Sequence, residues 1–142
     1  GHEIGQCNDY SYKANPHKAA DSRYVHRGAF RWDLAQKRFE EETPQYKIFR
    51  SIQKMEEIRA REKVFSTDAA VWTIDTWDAS VLGIIRSYEG EKLIALFNFG
   101  DQDKTAWINE EGIYEDLITG RQMEGKAVPI PKGGMYWLKQ IK

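Results

Sequence analysis

The run Asp21-Ser22-Arg23-Tyr24-Val25-His26-Arg27 gathers two guanidiniums, an imidazole and a carboxylate in a stretch rich in aromatic residues. Guanidinium forks grip carboxylates in a bidentate manner, and aromatic faces stack on the apolar side of a pyranose ring. The composition suits a sugar, and an internal salt bridge that merely folds the loop explains the same residues equally well. Glycoside hydrolysis needs two carboxyl groups about 5–5.5 Å apart for retention or roughly 6.5–9.5 Å apart for inversion. Asp9, Asp21 and Asp33 lie in this region, but in a chain with 30% charged residues surface acids are expected to be solvated. His2, His17 and His26 lack the helical spacing that pre-orients metal ligands, and Cys7 has no adjacent base or oxyanion-hole signature. No G-x-S-x-G, Walker or G-x-G-x-x-G motif is present, and nothing calls for a metal or other cofactor.

The elements that must hold these residues fall into three zones. Residues 1 to 43 mix Asn, Asp, Ser, Lys, Pro and Gly with Tyr10, Tyr12, Tyr24, Phe30 and Trp32, without periodicity, and are expected to form a long loop. Loops of that length are usually binding loops, lids or disordered, and the aromatics argue against disorder. Thr43-Pro44 then provides an N-cap followed by proline at the first helical position. Ile48, Ile52, Met55 and Ile58 form one stripe with Phe49 beside it, and Glu57 and Arg61 are spaced to pair on the wet side. The helix is expected to end near Lys63. Burial of the stripe is worth about 1.5–3 kcal/mol per large side chain, so the helix must dock to persist.

From about Ala69 the pattern becomes a series of short β-prone runs: 71–76, 81–88, 92–99, 105–108, 113–117, 127–130 and 135–141. Glu89-Gly90-Glu91 reads as a three-residue hairpin, and Pro129 and Pro131 indicate an edge strand or bulge. Strands at this rhythm without intervening helices predict an antiparallel β-sandwich. The whole is therefore mainly β, with a long loop and one α-helix ahead of the sandwich.

Composition removes several functions. The 142 residues carry 21 Lys+Arg against 22 Asp+Glu, a net charge of −1, so the basic excess that drives nucleic-acid or anionic-membrane binding is missing. Runs such as Leu93–Phe97 are far shorter than the roughly 20 residues of a membrane span. One cysteine cannot make an internal disulfide. The opening Gly1-His2-Glu3-Ile4-Gly5 has no initiator Met and no leader pattern, so the true N-terminus is expected to lie upstream.

Gly1-His2-Glu3-Ile4-Gly5, Asn8-Asp9-Tyr10-Ser11-Tyr12, Asp21 to Arg27 and Phe30-x-Trp32 resemble the end of the catalytic barrel in amylosucrase-like members of the α-amylase family, glycoside hydrolase family 13. The strand ending in Asn98-Phe99, the Asp116-Leu117-Ile118-Thr119-Gly120 segment and the closing Ile130-Pro131 and Tyr136-Trp137-Leu138 are similar to its C-terminal β-sandwich, domain C. The resemblance implies that residues 1–66 are the remnant of a (β/α)8 barrel (end of strand 8, loop 8, helix 8) and that residues 67–142 are domain C. It also implies that the nucleophile, the acid/base and the third carboxylate lie upstream of Gly1, so that no catalytic residue is present in this polypeptide. The parent would act on α-glucosidic bonds of sucrose or α-glucans through a covalent glucosyl-enzyme. In the family pattern Arg23 matches an arginine that pairs with a barrel aspartate at the floor of the sucrose pocket, with Asp21, His26 and Arg27 beside it. Lacking that partner here, Arg23 is expected to be exposed or re-paired with Asp21. His2 stands where the family has Asp, Gly28 where proline usually follows the His-Arg pair, and Cys7 is atypical.

Two other classes of function are open. Trp72, Trp77, Trp107 and Trp137 in a sandwich are compatible with a starch- or glycan-binding module, although core packing is the simpler expectation for most of them. An interaction domain is the third, because a helix stripe shaped to cover a barrel, without its cis partner, leaves an apolar patch that is expected to drive self-association or to dock on the sandwich.

Overall fold

The computed structural model describes residues 1–142, which divide into two compact units, Gly1–Lys54 and Met55–Lys142. The division falls inside a helix whose last turns pack with the second unit.

In the first unit the aperiodic stretch is a succession of single turns. Short 3-10 turns occupy His2–Ile4, Ser11–Ala14, Ser22–His26 and Lys37–Phe39, and a five-residue helix α1 spans Trp32–Gln36. Local side-chain chemistry explains them. Asp9 Oδ1 accepts from Ser11 N at 2.9 Å, Asn15 Oδ1 from His17 N at 3.0 Å and Asp21 Oδ1 from Arg23 N at 3.0 Å. Such Asx turns offer the backbone an alternative to longer helices or ladders. Gln6 ties the ends of the segment together, donating Nε2–H to Ala29 O at 3.0 Å while its Oε1 accepts from Arg31 N at 3.1 Å. Gly5 takes φ +60°, which strains any other residue, and a Cβ there would stand 2.8 Å from the tip of the Ile48 side chain, Cδ1.

Helix α2 covers Pro44–Arg61, and Thr43 caps it as the sequence indicates, its Oγ1 accepting from Tyr46 N at 3.2 Å. A 3-10 turn at Lys63–Phe65 follows. Within the stripe Ile58 is buried, whereas Ile48, Ile52 and Met55 are half-buried. The expected Glu57–Arg61 pair does not form: Arg61 Nε donates to Glu62 at 3.0 Å, and Arg59 pairs with Glu56 instead. Glu62 outcompetes Glu57 because it is far less exposed and already lies in an ionic cluster.

The second unit is an antiparallel sandwich. Its strands are β1 (Ala70–Ile74), β2 (Val81–Tyr88), β3 (Glu91–Asn98), β4 (Lys104–Trp107), β5 (Ile113–Asp116), β6 (Gln122–Glu124), β7 (Ala127–Ile130) and β8 (Met135–Gln140). A six-stranded sheet runs β1-β2-β3-β8-β5-β6, and β4 pairs with β7 in a second sheet. The three-residue strand β6 is too short to stand out in the sequence. The hairpin between β2 and β3 is one residue tighter than expected: Tyr88 pairs with Glu91, leaving Glu89 at φ 47° and Gly90 at φ 82° as a two-residue loop. Pro129 sits in β7 opposite Thr105, where the strand has no second neighbour.

Strand β3 accounts for the uninterrupted apolar run, since Leu93, Ile94, Ala95 and Leu96 are all buried and alternate between two cores. Ile94 and Leu96 join Val81, Ile85, Tyr114, Val128 and Leu138 on the side of the β4–β7 sheet. Leu93 and Ala95 join Ile58, Val64 and Trp137 on the opposite side, with Met55 and Phe65 packed against them. The last turns of α2 thus close one face and the small sheet closes the other.

Candidate functional site

The four residues singled out in the sequence share one turn. Asp21 caps the 3-10 turn Ser22–His26, and Arg27 follows it. Arg23 reaches back to Asp21 in a fork, Nε to Oδ1 at 2.9 Å and one terminal nitrogen to Oδ2 at 2.8 Å. The Arg23 side chain is 74% exposed, so the guanidinium is both re-paired and open to solvent, as expected for an arginine without a buried partner. Its side-chain hydrogen bond holds the Asp21 carboxyl below the ordinary range, helped by the Arg23 backbone N–H and by the charge of Arg27, and the same bond raises Arg23. Arg27 lies over the Tyr24 ring at 5.5 Å, and Lys18 over the same ring at 5.3 Å.

His26 turns away from the ion pair. Its Nδ1 lies 3.1 Å from Asn8 Oδ1, an amide oxygen that accepts a hydrogen bond from the ring. A polar cleft of about 160 Å³ lies alongside, lined by His2, Gln6, Cys7, Asn8, His26 and Phe30 among others. The turn therefore presents two surfaces, an Asp21–Arg23 fork backed by Tyr24 and an imidazole at a small cleft.

The other two aspartates of this unit, Asp9 and Asp33, are engaged locally. Asp9 serves the Ser11 turn, and Asp33 forms a fork with Arg31 that lowers its carboxyl to about 2. No three His, Cys, Asp or Glu side chains are grouped to hold a metal ion, and no helix is long and apolar enough to cross a membrane.

Asp116 and Asn98 lie in segments that carry the resemblance, but their burial and hydrogen-bond partners were not legible in the sequence. Asp116 is fully buried and accepts from Trp137 N at 2.9 Å, Thr119 N at 3.1 Å, Ile118 N at 3.3 Å and Thr119 Oγ1 at 2.6 Å. Buried Asn98 donates to the carbonyls of Gln102, Ile130 and Pro131 while its Oδ1 accepts from Gly100 N at 2.8 Å. Both hold loops at the ends of strands. Lys139 Nζ bonds Glu62 at 2.6 Å and lies 3.1 Å from Glu91, an ion pair whose angles fall short of a hydrogen bond, and so links the segment after α2 to β3 and β8. Burial raises the Glu62 carboxyl, and the bonds from Lys139 and Arg61 more than offset this, leaving it lowered.

The tryptophans depart from expectation. Trp137 is core, packed on Phe65 with ring centroids 4.9 Å apart. Trp72, Trp77 and Trp107 are 45%, 72% and 51% exposed. The reason is topological: β1 is a sheet edge, Trp77 lies in the turn beyond it, and Trp107 stands on the outer face of β4 while its neighbour Ala106 points into the core.

No family model and no curated protein matches the sequence. Among solved structures, an AmyP variant in complex with maltotriose matches with a TM-score of 0.62 at 14% identity, over 71% of this chain and 22% of that one. An α-amylase from Anoxybacillus matches with a TM-score of 0.57 at 15% identity, over 72% of this chain and 24% of that one. The chain spans less than a quarter of the length of either neighbour. At these identities it is the fold that is shared, and the fold is a β-sandwich similar to the C-terminal domains of α-amylase-family glycoside hydrolases.

Proposed function

We propose that this polypeptide is the C-terminal region of an α-amylase-family glycoside hydrolase or glucosyltransferase, contributing a stabilising domain C and one wall of the active site. The observation that carries the reading is the shared sandwich, spanning most of this chain and less than a quarter of each neighbour, one of which is held with maltotriose. The amylosucrase-like motifs refine it: the parent acts on α-glucosidic bonds of sucrose or α-glucans by a retaining mechanism, and its catalytic acids belong to a barrel in cis. On this reading the exposed Arg23 fork is the half of a pocket floor that the barrel completes, with Asp21 as a stand-in partner and His26 and Arg27 on the same loop.

Chemistry within the chain supports this division of labour. A guanidinium held by one carboxylate and an imidazole hydrogen-bonded to Asn8 can bind and orient a sugar, but they do not supply the pair of carboxyl groups that double displacement needs. The test is turnover: the 142-residue chain incubated with sucrose, starch and aryl α-glucosides is expected to release no sugar above a protein-free control. Release abolished by Asp21→Asn or Asp33→Asn would overturn the reading, because it would place a working carboxylate in this segment.

The half-buried Ile48 and Ile52 on α2 support a second element of the proposal, self-association of the isolated chain through that face.

A further inference from the structure

A cavity of about 530 Å³ opens on the second unit, a volume within the range of small-ligand sites. Its walls come from the connection between β4 and β5 (residues 109–112), from Ile113 at the start of β5 and from the turn between β6 and β7 (residues 124–126). Backbone hydrogen bonds lock these segments to one another. Glu110 N donates to Gly125 O at 2.8 Å, Gly125 N to Gly112 O at 3.1 Å and Ile113 N to Lys142 O at 3.0 Å. Gly125 is required where it stands, because a Cβ there would collide with Glu110 O and with the Tyr114 ring. The concavity is therefore set by the backbone and is formed before any ligand arrives.

The charges that line it divide into engaged and free. Lys92 Nζ bonds Glu110 Oε2 at 2.7 Å, and that bond raises the ammonium above its ordinary range, so Glu110 is already neutralised. Glu111, Glu124 and Lys126 line the same cavity, are exposed and form no ion pair. Ile113 lies opposite Glu124 in the β5–β6 ladder, which sets an apolar side chain beside a free carboxylate. Strand β6 is the last of the large sheet, so one of its edges has no strand partner, and it ends at the cavity. We propose that this cavity binds a short zwitterionic peptide, its ammonium taken by Glu111 and Glu124, its carboxylate by Lys126 and an apolar side chain by Ile113. The free edge of β6 is what selects a peptide over other zwitterions, since an unpaired strand edge bonds an added backbone, and the three residues of β6 limit the ligand to a dipeptide or tripeptide. A preformed wall lowers the ordering cost of binding. The site is independent of the parent's activity and of the Arg23 loop.

The test is a nuclear magnetic resonance titration of the 142-residue chain with leucyl-leucine, with the same dipeptide acetylated at its amine and amidated at its carboxyl, and with maltotriose. Backbone amide signals of Ile113, Gly125 and Lys126 are expected to shift saturably with leucyl-leucine. Blocking both termini is expected to weaken binding roughly tenfold, because it removes the charge-assisted hydrogen bonds. Glu124→Gln combined with Lys126→Gln, two exposed positions, is expected to cost a similar factor, whereas exposed Glu57→Gln on α2 is expected to change nothing. Circular dichroism checks that each variant is folded. The proposal is overturned if leucyl-leucine gives no saturable shift at these amides, if the blocked dipeptide binds as tightly as the free one, or if the double variant binds like the native chain. Shifts at the same amides with maltotriose and not with leucyl-leucine would replace the peptide with a sugar and overturn it equally. Since no turnover is read, none of these results bears on the proposed role of the chain in a glycoside hydrolase.

Discussion

At the scale of single residues, the polar groups that matter most are those whose partners are fixed by the fold. Asp116 is fully buried and accepts from four donors, so Asp116→Ala frees the Thr119 turn and leaves the buried Trp137 N unpaired; a buried donor stranded in this way costs about 1–3 kcal/mol. Urea unfolding is expected to show a loss of at least that size, with Asp116→Asn intermediate because one acceptor survives. Asp78 gives a pH-dependent case. Hydrogen bonds from Ser80, side chain and backbone, and then from Lys104 lower its carboxyl from 3.8 to about 2. A carboxyl depressed by folding stabilises the native state above its unfolded pKa, and that contribution disappears as pH falls through the folded value. Thermal melts of Asp78→Asn and the native chain are therefore expected to differ most above about pH 4 and to converge near pH 2. None of this was legible in the sequence, because Asp78 and Asp116 look like any of the other acids until their donors are in place. The Asp21–Arg23 fork was legible, since both partners lie within one turn.

At the scale of elements, local sequence controlled what local energetics control. Thr43-Pro44 marks the start of α2 correctly because a cap satisfies its own backbone donors without help from the rest of the chain. Thr43→Ala is expected to cost about 0.5–2 kcal/mol and to lower far-UV helicity, while Thr43→Ser, which keeps the acceptor, is expected to retain both. Strands β2 and β7 were read with their true limits because alternation and turn residues bracket them. The short helix α1 and strand β6 were not, as five and three residues are too few for a period to register. The Glu89-Gly90 turn shows the same limit in another form. Glycine announced a hairpin, but whether Glu89 also adopts positive φ depends on the register that Tyr88 and Glu91 make across the strands.

At the scale of the whole molecule, two compact units meet different fates if the chain is part of a longer enzyme. The sandwich has a core on each side of its large sheet and is expected to fold by itself. The first unit is built from single turns and keeps Ile48 and Ile52 only half-buried. Static light scattering is expected to give a mass above the 16.5 kDa monomer, falling toward it in Ile52→Glu; a native monomer would remove the proposed association. Sequence alone determined the class of fold, the helix cap, the near-neutral charge and the loop that carries Arg23, since each depends on composition or on neighbours along the chain. Only the tertiary structure decided which tryptophans face water and which acids are buried. Those outcomes depend on which strand becomes an edge and which face is covered, and both are fixed by contacts between residues remote in sequence.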